Sequence, residues 1–110
     1  MSGRVVILLG GILLPVACVA GQIYGTIREG NRPVRNATVV VQCGSDRGEG
    51  RSDQAGSYRV FVRQNGRCTL QLDAGGQRVE LRSAVFSYQN PVRYDLELLR
   101  TPNGFELRRR

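Results

Sequence analysis

From Gly21 onward the chain repeats one pattern: a short run alternating apolar and polar residues, then a cluster of Gly, Asn, Asp, Ser or Pro. A period of two sends every second side chain to the same face, which is how a strand with one buried side reads. "QIYGTIR" (22–28) sets Ile23, Gly25 and Ile27 against Tyr24, Thr26 and Arg28. "ATVVVQC" (37–43) is β-branched, with Ala37, Val39, Val41 and Cys43 on one side. "SYRVFVR" sets Tyr58, Val60 and Val62 against Arg59, Phe61 and Arg63. "RCTLQLD" lines up Cys68, Leu70 and Leu72, "QRVELRS" lines up Val79 and Leu81, and "VRYDLELL" lines up Val92, Tyr94, Leu96 and Leu98. Val85 to Tyr88 is a short run broken by Asn90-Pro91, and the tail "NGFELRRR" can pair as one more strand. No segment after Gly21 has a 3.6-residue period, so no substantial helix is expected.

The punctuation is equally specific. Gln64-Asn65-Gly66 lies between two alternating runs, and Asn-Gly in that setting predicts a hairpin joining them. "EGNRPVRN" reads as a loop, "AGG" (74–76) as a turn, and "GSDRGEGRSDQAG" (44–56) as a polar connection. Short strands with turns every 8–12 residues predict an all-β, antiparallel, seven-stranded β-sandwich.

The first twenty residues are of another kind. A short start with Arg4 precedes a nearly unbroken apolar run, "VVILLGGILLPVACVA" (5–20). Charge, apolar run and small terminal residues in this order predict a cleavable secretory signal peptide over 1–20, cut after Ala20. The run is shorter than the ~20 residues that span a bilayer comfortably, and Gly10, Gly11 and Pro15 interrupt it. Two other readings stay open: a retained anchor, and a lipoprotein cut at Cys18, against which Pro15 stands where a leucine is wanted. Residues 21–110 then form a single domain, secreted or periplasmic, with no membrane-spanning segment. Cys43 and Cys68 remain as an even pair on the apolar sides of their strands, which in an exported chain predicts a disulfide.

All sixteen basic residues are Arg, against nine acidic residues and no His, a formal +7 that becomes +6 without Arg4. Such a chain is drawn to anionic surfaces. The arginines are spread at strand-alternate positions rather than clustered, apart from the terminal "LRRR", and aromatic interleaving is thin. Nucleic acid is not an expected partner.

"GQIYGTIREGNRPVRNATVVVQC", followed by "RSDQAGSYRVFV", resembles the carboxypeptidase regulatory-like domain, a transthyretin-like (prealbumin-like, Ig-like) β-sandwich. The resemblance rests on Gly21, Ile23 and Gly25; on Pro33, Asn36, Ala37, Val39 and Val41; and on Ser52, Asp53, Gly56 and Tyr58. It covers Gly21 to about Leu72 well and the rest loosely. It implies a sandwich fold and, since such domains are appended to many proteins as accessory modules, a role without catalysis.

The residues agree in excluding several chemistries. Transthyretin-like hydrolases depend on histidine, and Ser–His or Cys–His nucleophiles need it too; this chain has none. An isopeptide lock needs Lys, also missing. Asp46, Glu49 and Asp53 could offer oxygens to a hard cation, but Arg47 and Arg51 interleave them and the ligand spacing of a calcium loop is lacking. No metal and no cofactor is expected. Asp53 has a structural use instead, accepting backbone N–H groups of the turn around Gly56. "NAT" at Asn36 matches the N-glycosylation pattern and matters only in a host that glycosylates its exports.

The expected function is therefore that of an exported, non-catalytic binding or structural module of the periplasm or cell envelope. Arg59, Phe61 and Arg63 are the candidate binding residues, presented on a basic sheet face or edge strand to a protein or anionic envelope partner. Arg suits this because its planar fork grips carboxylate and phosphate bidentately. The alternative is a carbohydrate-binding sandwich, for which Tyr24, Phe61, Phe86, Tyr88 and Phe105 are the available stacking platforms.

Overall fold

The computed structural model describes residues 21–110, and the proposed leader, with Cys18, lies outside the described residues. Eleven strands follow one another: β1 (Gly21–Glu29), β2 (Arg32–Pro33), β3 (Thr38–Cys43), β4 (Asp46–Arg51), β5 (Ser57–Val62), β6 (Gly66–Ala74), β7 (Gln77–Glu80), β8 (Val85–Ser87), β9 (Val92–Arg93), β10 (Leu96–Thr101) and β11 (Gly104–Arg109). Among the described residues there is no helix, hence none long and apolar enough to cross a membrane.

Two sheets pack face to face. In the first, β1 is central: β5 and then β2 run antiparallel to it on one side, while β9 and then β10 run parallel to it on the other, with β11 antiparallel to β10. The second has the order β4-β3-β6-β7, all antiparallel, with β8 pairing the start of β6. The alternation read from the sequence fills the space between them. Ile23, Ile27, Val60, Val62, Leu96 and Leu107 of the first sheet meet Val39, Val41, Leu70, Leu72 and Val85 of the second, all fully buried.

Four expectations are corrected. The sandwich has eleven strands, not seven, because one run is divided and because the loop after β1, the polar connection and the tail each contribute a strand. "VRYDLELL" is interrupted at Tyr94–Asp95, where the Tyr94 carbonyl leaves the strand direction to lie over Gly25; a Cβ on Gly25 would sit 2.1 Å from that oxygen. The first sheet is mixed rather than antiparallel, since β9 and β10 reach β1 by crossovers. Gln64-Asn65-Gly66 is not a hairpin: β5 pairs with β1 and β6 with β3, so the segment carries the chain from one sheet to the other. The tight turn with positive φ at both central residues is Gly75-Gly76, between Ala74 and Gln77, the conformation that suits a two-residue hairpin.

The fourth correction concerns 44–56, which contains β4, paired with β3 along its whole length. Its inward positions are Gly48 and Gly50, so the alternation is present but carries no apolar side chain. Glycine is required there because β4 crosses the free side of β5. A Cβ at Gly48 would lie 2.2 Å from Phe61 O, and one at Gly50 would lie 2.1 Å from Arg59 O.

Cys43 and Cys68 form a disulfide with Cα atoms 4.3 Å apart. The register pairs Gln42 with Thr69, so the two cysteines are cross-strand neighbours on the inner side of the second sheet. Both are buried. The bond is compatible with an oxidising, exported compartment. It closes a sequence separation of 25 residues, a loop whose closure removes on the order of 3 kcal/mol of freedom from the unfolded chain.

Candidate anion-binding site

The turn before β5 is built from its own side chains. Asp53 Oδ1 accepts N–H bonds from Ala55 and Ser57, both at 2.9 Å, and Gly56 takes a positive φ of 79°. The Gly56 carbonyl accepts the Ile27 N–H, fastening the turn to the end of β1. One residue earlier, Ser52 is buried; its Oγ accepts the Ala37 N–H at 2.9 Å and its own N–H donates to Ala37 O. The turn therefore fixes where β5 enters the first sheet and clamps the chain leading into β3.

On β5 the inner side carries Tyr58, Val60 and Val62, and the outer side carries Arg59 and Phe61, with Arg63 just beyond the strand. Tyr58 donates its phenol proton to Tyr94 O at 2.6 Å. Burial, with the nearby Asp95 and Tyr94 charges, pushes its ionisation well above the ordinary phenol range. Tyr94 in turn accepts the Phe86 N–H through its hydroxyl at 2.9 Å, tying the first sheet to β8 of the second.

The register then decides which outer residues meet. Tyr24 on β1 is opposite Arg59 on one side and Arg93 on the other, so the three form a cross-strand row. The Arg93 guanidinium carbon lies 6.0 Å from the Tyr24 ring centre. Arg93 Nε also reaches both oxygens of Asp95, at 3.0 and 3.1 Å. Asp95 Oδ1 further accepts the Thr26 N–H and hydroxyl. Partial burial raises the affinity of Asp95 for a proton, but the Arg93 and Thr26 bonds together outweigh it and hold the carboxyl below its ordinary value.

This row borders an open hollow of about 430 Å³ whose lining includes Tyr24, Thr26, Asp53, Ser57, Arg59 and Arg93, with Arg51 from the end of β4. Three guanidiniums and one carboxylate line it. Arg59 has no ion-pair partner among the described residues, and the best bond of Arg51 is a 3.4 Å contact to Asn36 Oδ1.

Of the three binding residues named from sequence, only Arg59 lines this hollow. Phe61 is 56% exposed and sits opposite Gln22, one row away. Arg63 lies further along and donates its backbone N–H to Asp46 Oδ2. Arg51 and Arg93 were missed, Arg93 because only the pairing of β5, β1 and β9 sets it in one row with Arg59, whereas Tyr24 was named only as a stacking platform. Asp46, Glu49 and Asp53 do not converge: Asp46 caps the end of β5, Glu49 pairs with Arg47, and Asp53 holds its turn. Among the described residues no group of three potential metal ligands occurs.

No family model matches the chain, and no curated protein matches it. Solved structures similar to the chain include two of low identity. One is a DUF3823 family protein from Parabacteroides merdae, with a TM-score of 0.49 and 12% identity over 71% of this chain. The other is a 9R-lipoxygenase from Cyanothece, with a TM-score of 0.45 and 15% identity over 90% of this chain. The chain spans 45% and 20% of those two proteins respectively.

Proposed function

We propose that this chain is an exported, non-catalytic β-sandwich module of the carboxypeptidase regulatory-like kind, docking through the basic outer side of its first sheet onto an anionic partner of the periplasm or cell envelope. The observation that carries the reading is the cross-strand row Arg59–Tyr24–Arg93, with Arg51 beside it. It holds the guanidiniums on hydrogen-bonded strands, so little backbone freedom is lost on binding. The test compares retention of the full chain and of an Arg59→Ser/Arg63→Ser double variant on anionic envelope fractions at two salt concentrations. Retention that falls with salt and falls again in the variant is expected. Equal retention of both proteins would make the arginines merely a solvated surface and end the reading.

The exposed Phe86 and Tyr88, with ring centres 6.4 Å apart and planes inclined by 22°, favour the second reading, a platform for a neutral sugar. They belong to the second sheet's end of the molecule. Binding there would survive the arginine substitutions and be lost in Tyr88→Ala.

A further inference from the structure

We infer that the hollow beside Tyr24 is a binding site for an acidic sugar, a carboxylate-bearing residue of a polysaccharide. The inference rests on the anionic-partner reading and names its ligand. Arg51, Arg59 and Arg93 outnumber the carboxylate of Asp53 in the lining, which calls for an anionic guest. Arg93 meets Asp95 through Nε, a contact that leaves the terminal nitrogens of its fork for a second carboxylate. The rest of the lining is not what a bare anion needs. Asp53 spends Oδ1 on its turn and keeps Oδ2, and Ser57 adds a hydroxyl. These are partners for sugar hydroxyls. Tyr24 supplies an aromatic side chain between the two arginines of the row, an apolar surface for a sugar ring. At about 430 Å³ the hollow falls within the roughly 300–1,000 Å³ of small-ligand sites. Because it is open rather than enclosed, it suits one unit of an extended polymer. An acidic peptide of Asp or Glu would satisfy the arginines but brings no ring to lie against Tyr24.

The experiment is a calorimetric titration of the full chain with tetragalacturonate, a neutral oligosaccharide of equal length, a tetraglutamate peptide and inorganic phosphate. Tetragalacturonate is expected to bind and the neutral sugar is not. Arg59→Gln should weaken binding by about tenfold or more, the scale of one charge-assisted bidentate contact, with an unchanged melting temperature. Arg63→Gln, on the same side but outside the hollow, should bind as the wild type does. Tyr24→Leu, which keeps the charges, should weaken the sugar. Tetraglutamate or phosphate binding as well as the uronate would overturn the sugar assignment while leaving the anionic reading in place. Equal losses from Arg59→Gln and Arg63→Gln would overturn the hollow in favour of a diffuse basic surface. No uronate binding at all would overturn this inference, and retention on envelope fractions would then decide the broader reading separately.

Discussion

Single side chains here are governed by what lies directly against them. Val60 is fully buried while Arg59 points outward from the same strand. Val60→Ala should therefore cost roughly 1–3 kcal/mol through lost burial and a residual cavity, and Arg59→Ser should stay within about 0.5 kcal/mol; denaturant melts of the two variants check this. Gly50→Ala is the sharper case. The added methyl would meet the Arg59 carbonyl at 2.1 Å, and backbone in a paired strand cannot step aside. The loss should reach at least the upper end of the ~1–3 kcal/mol seen on overpacking, although the new residue is a better strand former than glycine. Ser52→Ala removes the acceptor for a buried N–H and should cost about 1–3 kcal/mol, again read from denaturant melts.

At the scale of elements, the disulfide joins β3 to β6 within one sheet. Cys68→Ser should lower stability by about 2–5 kcal/mol, the usual cost of removing a native disulfide from a domain of this size, and the oxidised protein should show no reactivity of Cys43 or Cys68 toward thiol reagents. Most of these elements were legible in the sequence because period-two alternation reports burial directly. The apolar sides of β1, β3, β5, β6 and β10 are the core. β4 was not legible, since Gly48 and Gly50 occupy its inward positions and a glycine carries no hydropathy signal. Asn65-Gly66 misled for a different reason. Local turn chemistry says that the chain can reverse, not which sheet the next strand will join, and here β5 is claimed by β1. The candidate site was partly visible: Arg59 and Tyr24 could be picked out from their own strands, but Arg93 reaches them only through the pairing of β9 with β1, and Arg51 comes from the end of a strand in the other sheet.

Over the whole molecule, two ionisable groups tie stability to pH from opposite sides. Asp95 is held below its ordinary value by Arg93 and Thr26. Its contribution is therefore present above the unfolded carboxylate value of ~3.9 and is lost as pH falls through the lower folded value. Tyr58 is raised by burial, so its contribution is present below the ordinary phenol value of ~10 and is lost as pH rises through the higher folded value. Thermal melts across pH should show Asp95→Asn with a shallower acid limb and Tyr58→Phe with a shallower alkaline one. An acid limb unchanged by Asp95→Asn would remove that carboxylate from the balance. The placement of β1 bears on time as well. It is the earliest of these strands to be made; its antiparallel neighbours β2 and β5 are complete by Val62, but its parallel neighbours β9 and β10 follow only between Val92 and Thr101. The second sheet lies between Thr38 and Ser87, so it can close with its disulfide while one side of β1 still lacks its partners. β1 therefore keeps one unpaired edge, open to pairing with another chain, until β9 and β10 have been made.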